Sequence, residues 1–257
     1  MEENFLDQAE FADNPEPRCP VVLVLDTSGS MKGQAILELN EGLRAFAQAI
    51  RADRLASLRV EVAVITFGGA VKAINVHGEV SDESRMVPYN PNGLAIRPQV
   101  KEVPFDARQA FVTADQFQPP ILDPDGGTPM GEAIQRALAL LHDRKEIYKL
   151  NGMDYFRPWI FVITDGKPTD SWETAAEQIR QEEARKGVHF YGVGVEGADL
   201  KALSRFSSAR PPLKLKGLAF AELFTWLSKS LSAIAHSRPG EQAPLPPVGW
   251  GEVDTSH

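Results

Sequence analysis

The sequence predicts an α/β fold in which helices cover both faces of an open, mostly parallel β-sheet. Short apolar runs alternate along the chain with longer segments of helical period, and this alternation is typical of such a sheet. The run PVVLVLD at residues 20–26 is almost continuously apolar, as expected for a central strand buried on both faces. At 257 residues, the chain is long enough for one large domain with appendages.

The predicted elements follow the first strand in order. The next segment is expected to be a helix, because its apolar residues recur every three or four positions. Its apolar face contains Ile36, Leu39, Leu43, Phe46 and Ile50. A second strand is expected at 60–67, and Gly68-Gly69 predicts a tight hairpin into an antiparallel edge strand. Further strands are expected at 158–165, 188–195 and 213–215, with helices at 131–143, 173–186, 199–205 and 220–235. Gly187 predicts a left-handed C-cap for the helix that precedes it.

Two stretches interrupt this alternation. Residues 77–120 contain six prolines and show no sustained period, which predicts an excursion from the core with one or two short strands. Four more prolines after residue 236 favour an extended, poorly packed tail. We therefore expect an N-terminal arm at 1–18, a domain at 19–236 that contains the excursion, and a Pro-rich tail at 237–257.

Composition and charge exclude several classes of protein. The net charge of -8 leaves no excess of basic residues, so neither nucleic acid nor an anionic membrane is an expected partner. The acidic start lacks the basic and apolar regions of a secretory signal, and the apolar runs are too short to cross a bilayer. Cys19 is the only cysteine, so no intramolecular disulfide is possible and a cytoplasmic location is expected. We expect this cysteine to be a small packed side chain.

Polar side chains follow two of the buried strands and precede one helix. Asp26, Ser28 and Ser30 occupy alternate positions after the first strand, Thr128 comes before a predicted helix, and Asp165 ends another strand. The carboxyl ends of parallel strands share one edge of the sheet, which is where open α/β sheets bind ligands. Carboxylate and hydroxyl oxygens suit a hard cation such as Mg²⁺. Each motif alone could be a helix cap or a turn, but their joint occurrence favours a metal site.

Three segments resemble the metal-ion-dependent adhesion site of von Willebrand factor A domains: DTSGS (26–30), GGTPMGEA (126–133) and ITDGKPTD (163–170). The resemblance covers most of residues 21–235. It implies the Rossmann-like open sheet of the vWA fold. In the phrases VLVLDTSGSM, ITFGG and YFRPWIFVITDGKPTD, the chain is closest to the bacterial tellurium-resistance (TerY-like) branch.

The same resemblance implies a function. Asp26, Ser28, Ser30 and Thr128 would bind Mg²⁺ directly or nearly so, with Mn²⁺ or Ca²⁺ as alternatives, and Asp165 would act largely through bound water. A protein partner would supply an Asp or Glu to the open coordination position. The tellurium-resistance branch further implies a stress-response setting, with phosphatase, kinase or tellurium-resistance proteins as partners.

Other kinds of site fit parts of the sequence. A metal-dependent phosphohydrolase would use Asp26 as a nucleophile, but haloacid dehalogenase-like phosphatases need a second Asp two residues later, where this chain has Ser28. A Gly-x-Gly-x-x-Gly fingerprint for dinucleotides occurs at 192–197, but its first two glycines fall inside an apolar strand. Loops with a purely structural role are the third possibility. We therefore predict a metal-dependent binding module and not an enzyme, with the phosphohydrolase as the alternative.

Overall fold

A computed structural model describes residues 11–90 and 93–253, with side chains described outside residues 80–99 and 253. Residues 1–10 of the predicted N-terminal arm and residues 254–257 of the predicted tail lie outside the described residues. The strands are β1 (Cys19–Asp26), β2 (Val60–Gly68), β3 (Ala70–Ile74), β4 (Val80–Asn90), β5 (Gly93–Val100), β6 (Glu102–Val103), β7 (Val112–Thr113), β8 (Trp159–Thr164), β9 (His189–Gly194), β10 (Leu213–Leu215) and β11 (Gly251–Val253).

Nine of these strands form the main sheet, in the order β11-β10-β9-β8-β1-β2-β3-β6, with β7 also paired to β2. The five strands from β10 to β2 run parallel, and β3 pairs with β2 in the antiparallel direction. The hairpin between β2 and β3 turns at Gly69, whose φ of 71° is the left-handed backbone that glycine adopts without strain. At the opposite edge, β11 pairs antiparallel with β10.

Helices cover both faces of this sheet. They are α1 (Gln34–Ala52), α2 (Arg54–Arg59), α3 (Ala107–Ala110), α4 (Met130–Leu150), α5 (Glu173–Ala184), α6 (Leu200–Ser204) and α7 (Phe220–Ala235). The mostly parallel sheet with an antiparallel edge strand and helices on both faces confirms the predicted fold class. In the described part of the chain, no helix is both long enough and apolar enough to span a membrane.

The strand β1 divides the core into two layers. Its side chains point alternately to the two faces of the sheet, as in any β-strand. Val21, Leu23 and Leu25 pack in the apolar layer that contains α1 and α7. Val22 and Val24 pack in the opposite layer, with α4 and α5. Every residue of β1 is buried, as its continuous apolar character predicts.

The stretch predicted as an excursion divides into two parts. Its first part forms the separate antiparallel hairpin of β4 and β5. Its second part returns to the domain, because β6 pairs with β3, β7 pairs with β2, and the Phe111 and Phe117 side chains are buried in the core. Strands of two residues have no detectable period, which is why the sequence pattern did not show them. Since β3 runs antiparallel to β2, it leads away from the Asp26 edge before the hairpin begins.

Most described residues of the C-terminal tail are exposed, but its end differs from the expected poorly packed segment, because Trp250 packs into the core. The Trp250 side chain is 3% exposed and contacts the Trp226 ring edge-on, with 5.6 Å between ring centroids. The Trp226 indole N–H donates to the Pro246 carbonyl at 2.8 Å. The prolines leave no regular apolar period in the sequence of the tail. Leu245 and Trp250 nevertheless attach it to the core through apolar contacts, and β11 extends the sheet.

The left-handed residue at the end of α5 is not the predicted one. Left-handed backbone occurs at Lys186, with φ of 58°, and not at Gly187. The helix ends at Ala184 and Arg185 is its C-cap, so the next position, where left-handed backbone commonly follows a helix, is Lys186. The Gly187 N–H donates to the Glu182 carbonyl at 2.7 Å and closes the last turn.

A buried ion-pair network lies at the amino end of β1 and β2. The Glu61 carboxylate accepts hydrogen bonds from Arg18 Nε at 2.9 Å and from Arg144 Nε and Nη2, both at 2.8 Å, and also from the Tyr148 hydroxyl. Both ion pairs are essentially unexposed. Burial alone would raise the pKa of Glu61, but the guanidinium groups of Arg144 and Arg18 outweigh it, so the pKa is lowered. Nearby Cys19 is fully buried, which confirms the packed side chain, and this burial raises the pKa of its thiol to about 12.

Replacing Glu61→Gln is expected to reduce the free energy of unfolding by about 3–5 kcal/mol, because two buried guanidinium groups lose their counter-charge. Urea denaturation at pH 7 measures the loss. The lowered pKa means that the stabilisation is fully present above the ordinary pKa of 4.5 and disappears as the pH falls further. Glu41→Gln is the control, because it removes an exposed pair with Arg44 and should cost less than about 1 kcal/mol. Equal losses in the two variants would contradict a structural role for the network.

Candidate metal site

The candidate site lies where β1 and β8 end side by side at the carboxyl edge of the sheet. The two strands are paired in parallel register, with Leu25 opposite Ile163. The next residues along each chain, Asp26 and Thr164, are therefore neighbours, and Asp165 follows them. The carboxyl edge of an open parallel sheet is where ligands bind in α/β proteins.

A chain of hydrogen bonds connects four of the predicted residues. The Asp26 carboxylate accepts from the Ser28 backbone N–H at 2.7 Å. The Ser28 and Ser30 hydroxyls are 3.0 Å apart, and the Ser30 hydroxyl donates to Asp165 Oδ1 at 2.6 Å. On its other oxygen, Asp26 accepts from the Thr164 hydroxyl at 2.5 Å. The two carboxylates and two serine hydroxyls therefore form one connected group.

Thr128 reaches the same group from a third loop. A Cβ placed on Gly166 would lie 3.1 Å from Thr128 Oγ1 and 3.8 Å from Asp26 Oδ2, so these two oxygens face the same small space. Thr128 is 5% exposed. Within the described part of the chain, its hydroxyl has no hydrogen-bond partner, so its lone pairs are available to a ligand.

Glycines allow the loops to approach this closely. Gly126 has φ of 70°, and a Cβ there would lie 2.3 Å from the Gly69 Cα atom. The Gly29 N–H donates to the Gly126 carbonyl and the Gly69 N–H to the Gly127 carbonyl, both at 2.9 Å. The loop before α4 is thus held between the β1 loop and the hairpin turn, which fixes the approach of Thr128.

The electrostatics of the site favour a cation. Asp26 is fully buried and Asp165 is 8% exposed, and burial raises the pKa of both carboxyl groups. Among the described residues, no lysine or arginine forms an ion pair with either one. The same residues contain no cluster of three or more His, Cys, Asp or Glu that could hold a metal, so hydroxyl groups would have to complete the ligand set. Two carboxylates with three hydroxyls fit a hard divalent cation.

The structure brings together all five residues singled out in the sequence: Asp26, Ser28, Ser30, Thr128 and Asp165. Of these, Ser30 is the exposed one, which places the open side of the site next to it. Sequence reasoning missed Thr164, whose hydroxyl binds Asp26. Its position at the end of the strand that leads to Asp165 was the available signal, but strand threonines are too common to identify it.

Comparison with known proteins supports the fold. Residues 107–220 match the family model described as von Willebrand factor type A domain, a stretch that contains Thr128 and Asp165. A solved von Willebrand factor type A protein from Catenulispora acidiphila aligns with a TM-score of 0.53 at 16% identity, covering 84% of this chain and 43% of that chain. The fold is that of a von Willebrand factor type A (vWA) domain.

A second structure with this fold is the pilus adhesin SpaC from Lactobacillus rhamnosus GG. It aligns with a TM-score of 0.53 at 15% identity, over 85% of this chain and 30% of that chain. The chain spans less than half the length of either structure, so the likeness concerns the vWA fold and not the whole protein. A comparison with curated proteins gave no match.

Replacing Asp26→Asn is expected to leave the metal-free protein at least as stable as the wild type at pH 7. The ionised carboxylate is buried without a cation, whereas the amide keeps an oxygen for the Ser28 N–H and an N–H for the Thr164 hydroxyl. Thermal unfolding in EDTA tests this expectation. A clear drop in Tm would mean that the Asp26 charge stabilises the fold itself.

Proposed function

We propose that this vWA domain is a metal-dependent protein-binding module whose site takes Mg²⁺, with Mn²⁺ or Ca²⁺ as alternatives. The observation that carries the proposal is the pair of buried carboxylates, Asp26 and Asp165, next to three hydroxyls and without an ion-paired cation in the described chain. Burying ionised groups is costly unless they are paired or coordinate a metal. A divalent cation would supply the missing charge.

The residues divide into two roles under this proposal. Asp26, Ser28, Ser30 and Thr128 would hold the cation, and Asp165 would act largely through a bound water. Hydroxyl ligands carry no charge, so a cation held in this way keeps most of its attraction for an additional anionic ligand. The exposed side of the site, next to Ser30, is where an Asp or Glu of a protein partner would reach it.

We propose that the protein is not an enzyme. A phosphohydrolase that used Asp26 as a nucleophile would need an acid to protonate the leaving group. Haloacid dehalogenase-like phosphatases carry this acid at the position that Ser28 occupies here. In this chain Ser28 is buried and bonded to Ser30. Turnover of aryl phosphates with Mg²⁺ that disappears in Asp26→Asn would overturn the proposal.

We propose the biological process in which the protein acts from sequence resemblance alone. The phrases around Asp26 and Asp165 resemble the bacterial tellurium-resistance branch, which suggests a cytoplasmic stress-response role with phosphatase, kinase or tellurium-resistance proteins as partners. SpaC, which shares the fold, is named as an adhesin, but its likeness is one of fold.

Metal binding is expected to be lost in Asp26→Asn and weakened about 10 to 100-fold in Asp165→Asn, because an outer-sphere ligand typically contributes that much to affinity. Isothermal titration calorimetry with Mg²⁺ and Mn²⁺ gives the affinities. Mg²⁺ should also raise the Tm of the wild type and not that of Asp26→Asn, since binding to the folded state alone increases stability.

Asp125→Asn is the matched control for this experiment. Asp125 lies on the loop before α4, next to Gly126, but its side chain is exposed. Its variant should bind Mg²⁺ as the wild type does. A loss in the control equal to that in Asp165→Asn would indicate general attraction by negative charge and would contradict a defined ligand set.

Partner binding is expected to require the metal. A partner carboxylate approaching this acidic chain without the cation would meet the Asp26 and Asp165 charges, so EDTA should release the partner. The test immobilises the wild-type and Asp26→Asn proteins in Mg²⁺. It identifies the partner proteins that only the wild type retains and that EDTA elutes. Replacing the contact Asp or Glu of such a protein should lower its affinity more than tenfold, because truncating one member of a desolvated charge pair costs ~2 to 5 kcal/mol. Equal retention in Mg²⁺ and EDTA would exclude the metal bridge.

A further inference from the structure

The amino end of α4 is capped by a residue from another loop. The N-cap position of α4 is Pro129, and no local side chain caps the helix. Instead, the Asp170 carboxylate accepts from the Gly131 N–H at 3.0 Å and from the Glu132 N–H at 2.8 Å. The first N–H groups of a helix have no partner within the helix, so a carboxylate at this point satisfies them. This cap joins the loop after β8 to the loop before α4.

A second contact joins the same loops at Thr128. The Thr128 N–H donates to the Thr169 hydroxyl at 3.1 Å, and the Thr169 N–H donates to the Thr128 carbonyl at 3.0 Å. Both backbone polar groups of Thr128 are therefore held by one residue. The Thr128 carbonyl also accepts from the Met130 N–H at 2.8 Å.

The two loops are packed without space between them. A Cβ on Gly131 would lie 2.6 Å from the Ser171 carbonyl oxygen and 2.7 Å from the Trp172 Cα atom. These are backbone atoms, which cannot move aside as the end of a flexible side chain can. Glycine at position 131 thus permits the contact that brings Asp170 within hydrogen-bond distance of the helix.

The side chain of Thr128 depends on these contacts for its position. Within the described chain its hydroxyl has no hydrogen bond, whereas Ser28 and Ser30 are tied to each other and to Asp165. The position of the hydroxyl therefore depends on the Thr128 backbone, which is held by Thr169 and by the capped start of α4, and not on a hydrogen bond of its own.

We propose that Asp170 and Thr169 are positioning residues that hold the Thr128 hydroxyl toward the metal site. They join the loop that carries Asp165 to the loop that carries Thr128, so these two groups keep a fixed separation. The inference rests on the proposed metal function, because it assigns a task to Thr128 as a ligand. Residues that orient a metal ligand typically contribute 10 to 100-fold in metal affinity, which is the expected size of the effect.

Mn²⁺ binding to the full chain, followed by electron paramagnetic resonance and calorimetry, tests the proposal. Asp170→Ala is expected to weaken Mn²⁺ affinity about 10 to 100-fold and to change the spectrum of the bound ion. Asp170→Asn should restore only part of the affinity, because its single amide oxygen can accept from one N–H group, whereas both carboxylate oxygens of Asp170 are used. An Asp170→Ala variant that binds Mn²⁺ as tightly as the wild type would overturn the positioning role.

The matched control is Asp53→Ala. Asp53 caps α2 through two backbone N–H groups, those of Leu55 and Ala56, and α2 lies outside the site. Both alanine variants should lower the Tm measured in EDTA, but only Asp170→Ala should weaken Mn²⁺ binding. Equal Mn²⁺ affinities in the two variants would overturn the inference while leaving the metal function intact. A wild-type protein that binds no Mn²⁺ would overturn both.

A second pair of variants keeps the test decisive if Asp170→Ala does not fold. Thr169→Ser keeps the hydroxyl that accepts from the Thr128 N–H, and Thr169→Val replaces it by a methyl group of similar size. Thr169→Ser should bind Mn²⁺ as the wild type does, and Thr169→Val should bind it more weakly. Equal binding by these two variants would contradict the role of Thr169.

Discussion

The burial of β1 on both faces is the constraint on which the rest of the structure depends. Because β1 lies between the parallel strands β2 and β8, helices must cover both of its faces. It pairs with β2 along its whole length and with β8 over residues 21–25. The segments that connect β1 to the rest of the chain therefore lie at the two ends of the sheet. Polar residues that follow it, beginning with Asp26, are therefore gathered at one edge together with the loop after β8.

Buried carboxylates have opposite electrostatic surroundings at the two ends of the sheet. At the amino end, Glu61 is surrounded by two guanidinium groups and a phenol, and its pKa is lowered despite complete burial. At the carboxyl end, Asp26 and Asp165 have hydroxyl and backbone partners but no ion pair with a Lys or Arg among the described residues, and burial raises the pKa of both. The first arrangement stabilises the fold from within. The second leaves two carboxyl groups whose charge must be neutralised by protonation or, under the proposed function, by a bound cation.

Sequence patterns predicted the parts of this structure that depend on local spacing. The apolar runs predicted β1, β2 and β8, and helical period predicted α1. The convergence of five site residues followed from strand order, since parallel strands end at one edge. The contacts of Asp170 with α4 could not be predicted, because they join positions 38 and 39 residues apart and no local pattern records them. The packing of Leu245 and Trp250 was not predicted, because the prolines of the tail concealed these two apolar anchors.

Residues outside the proposed ligand set must hold the loops of such a site in place. Two buried carboxylates repel each other and favour loop positions that separate them, so the loops must be held by bonds that do not involve the charges. Here the Gly29, Gly69 and Thr169 backbone N–H groups provide such bonds, and each joins two different loops. These bonds do not involve the carboxylates, so they hold the loops whether or not the proposed cation is bound. The cost of reorganisation in the proposed metal binding would then be small, and neutralisation of Asp26 and Asp165 would appear as added stability of the fold.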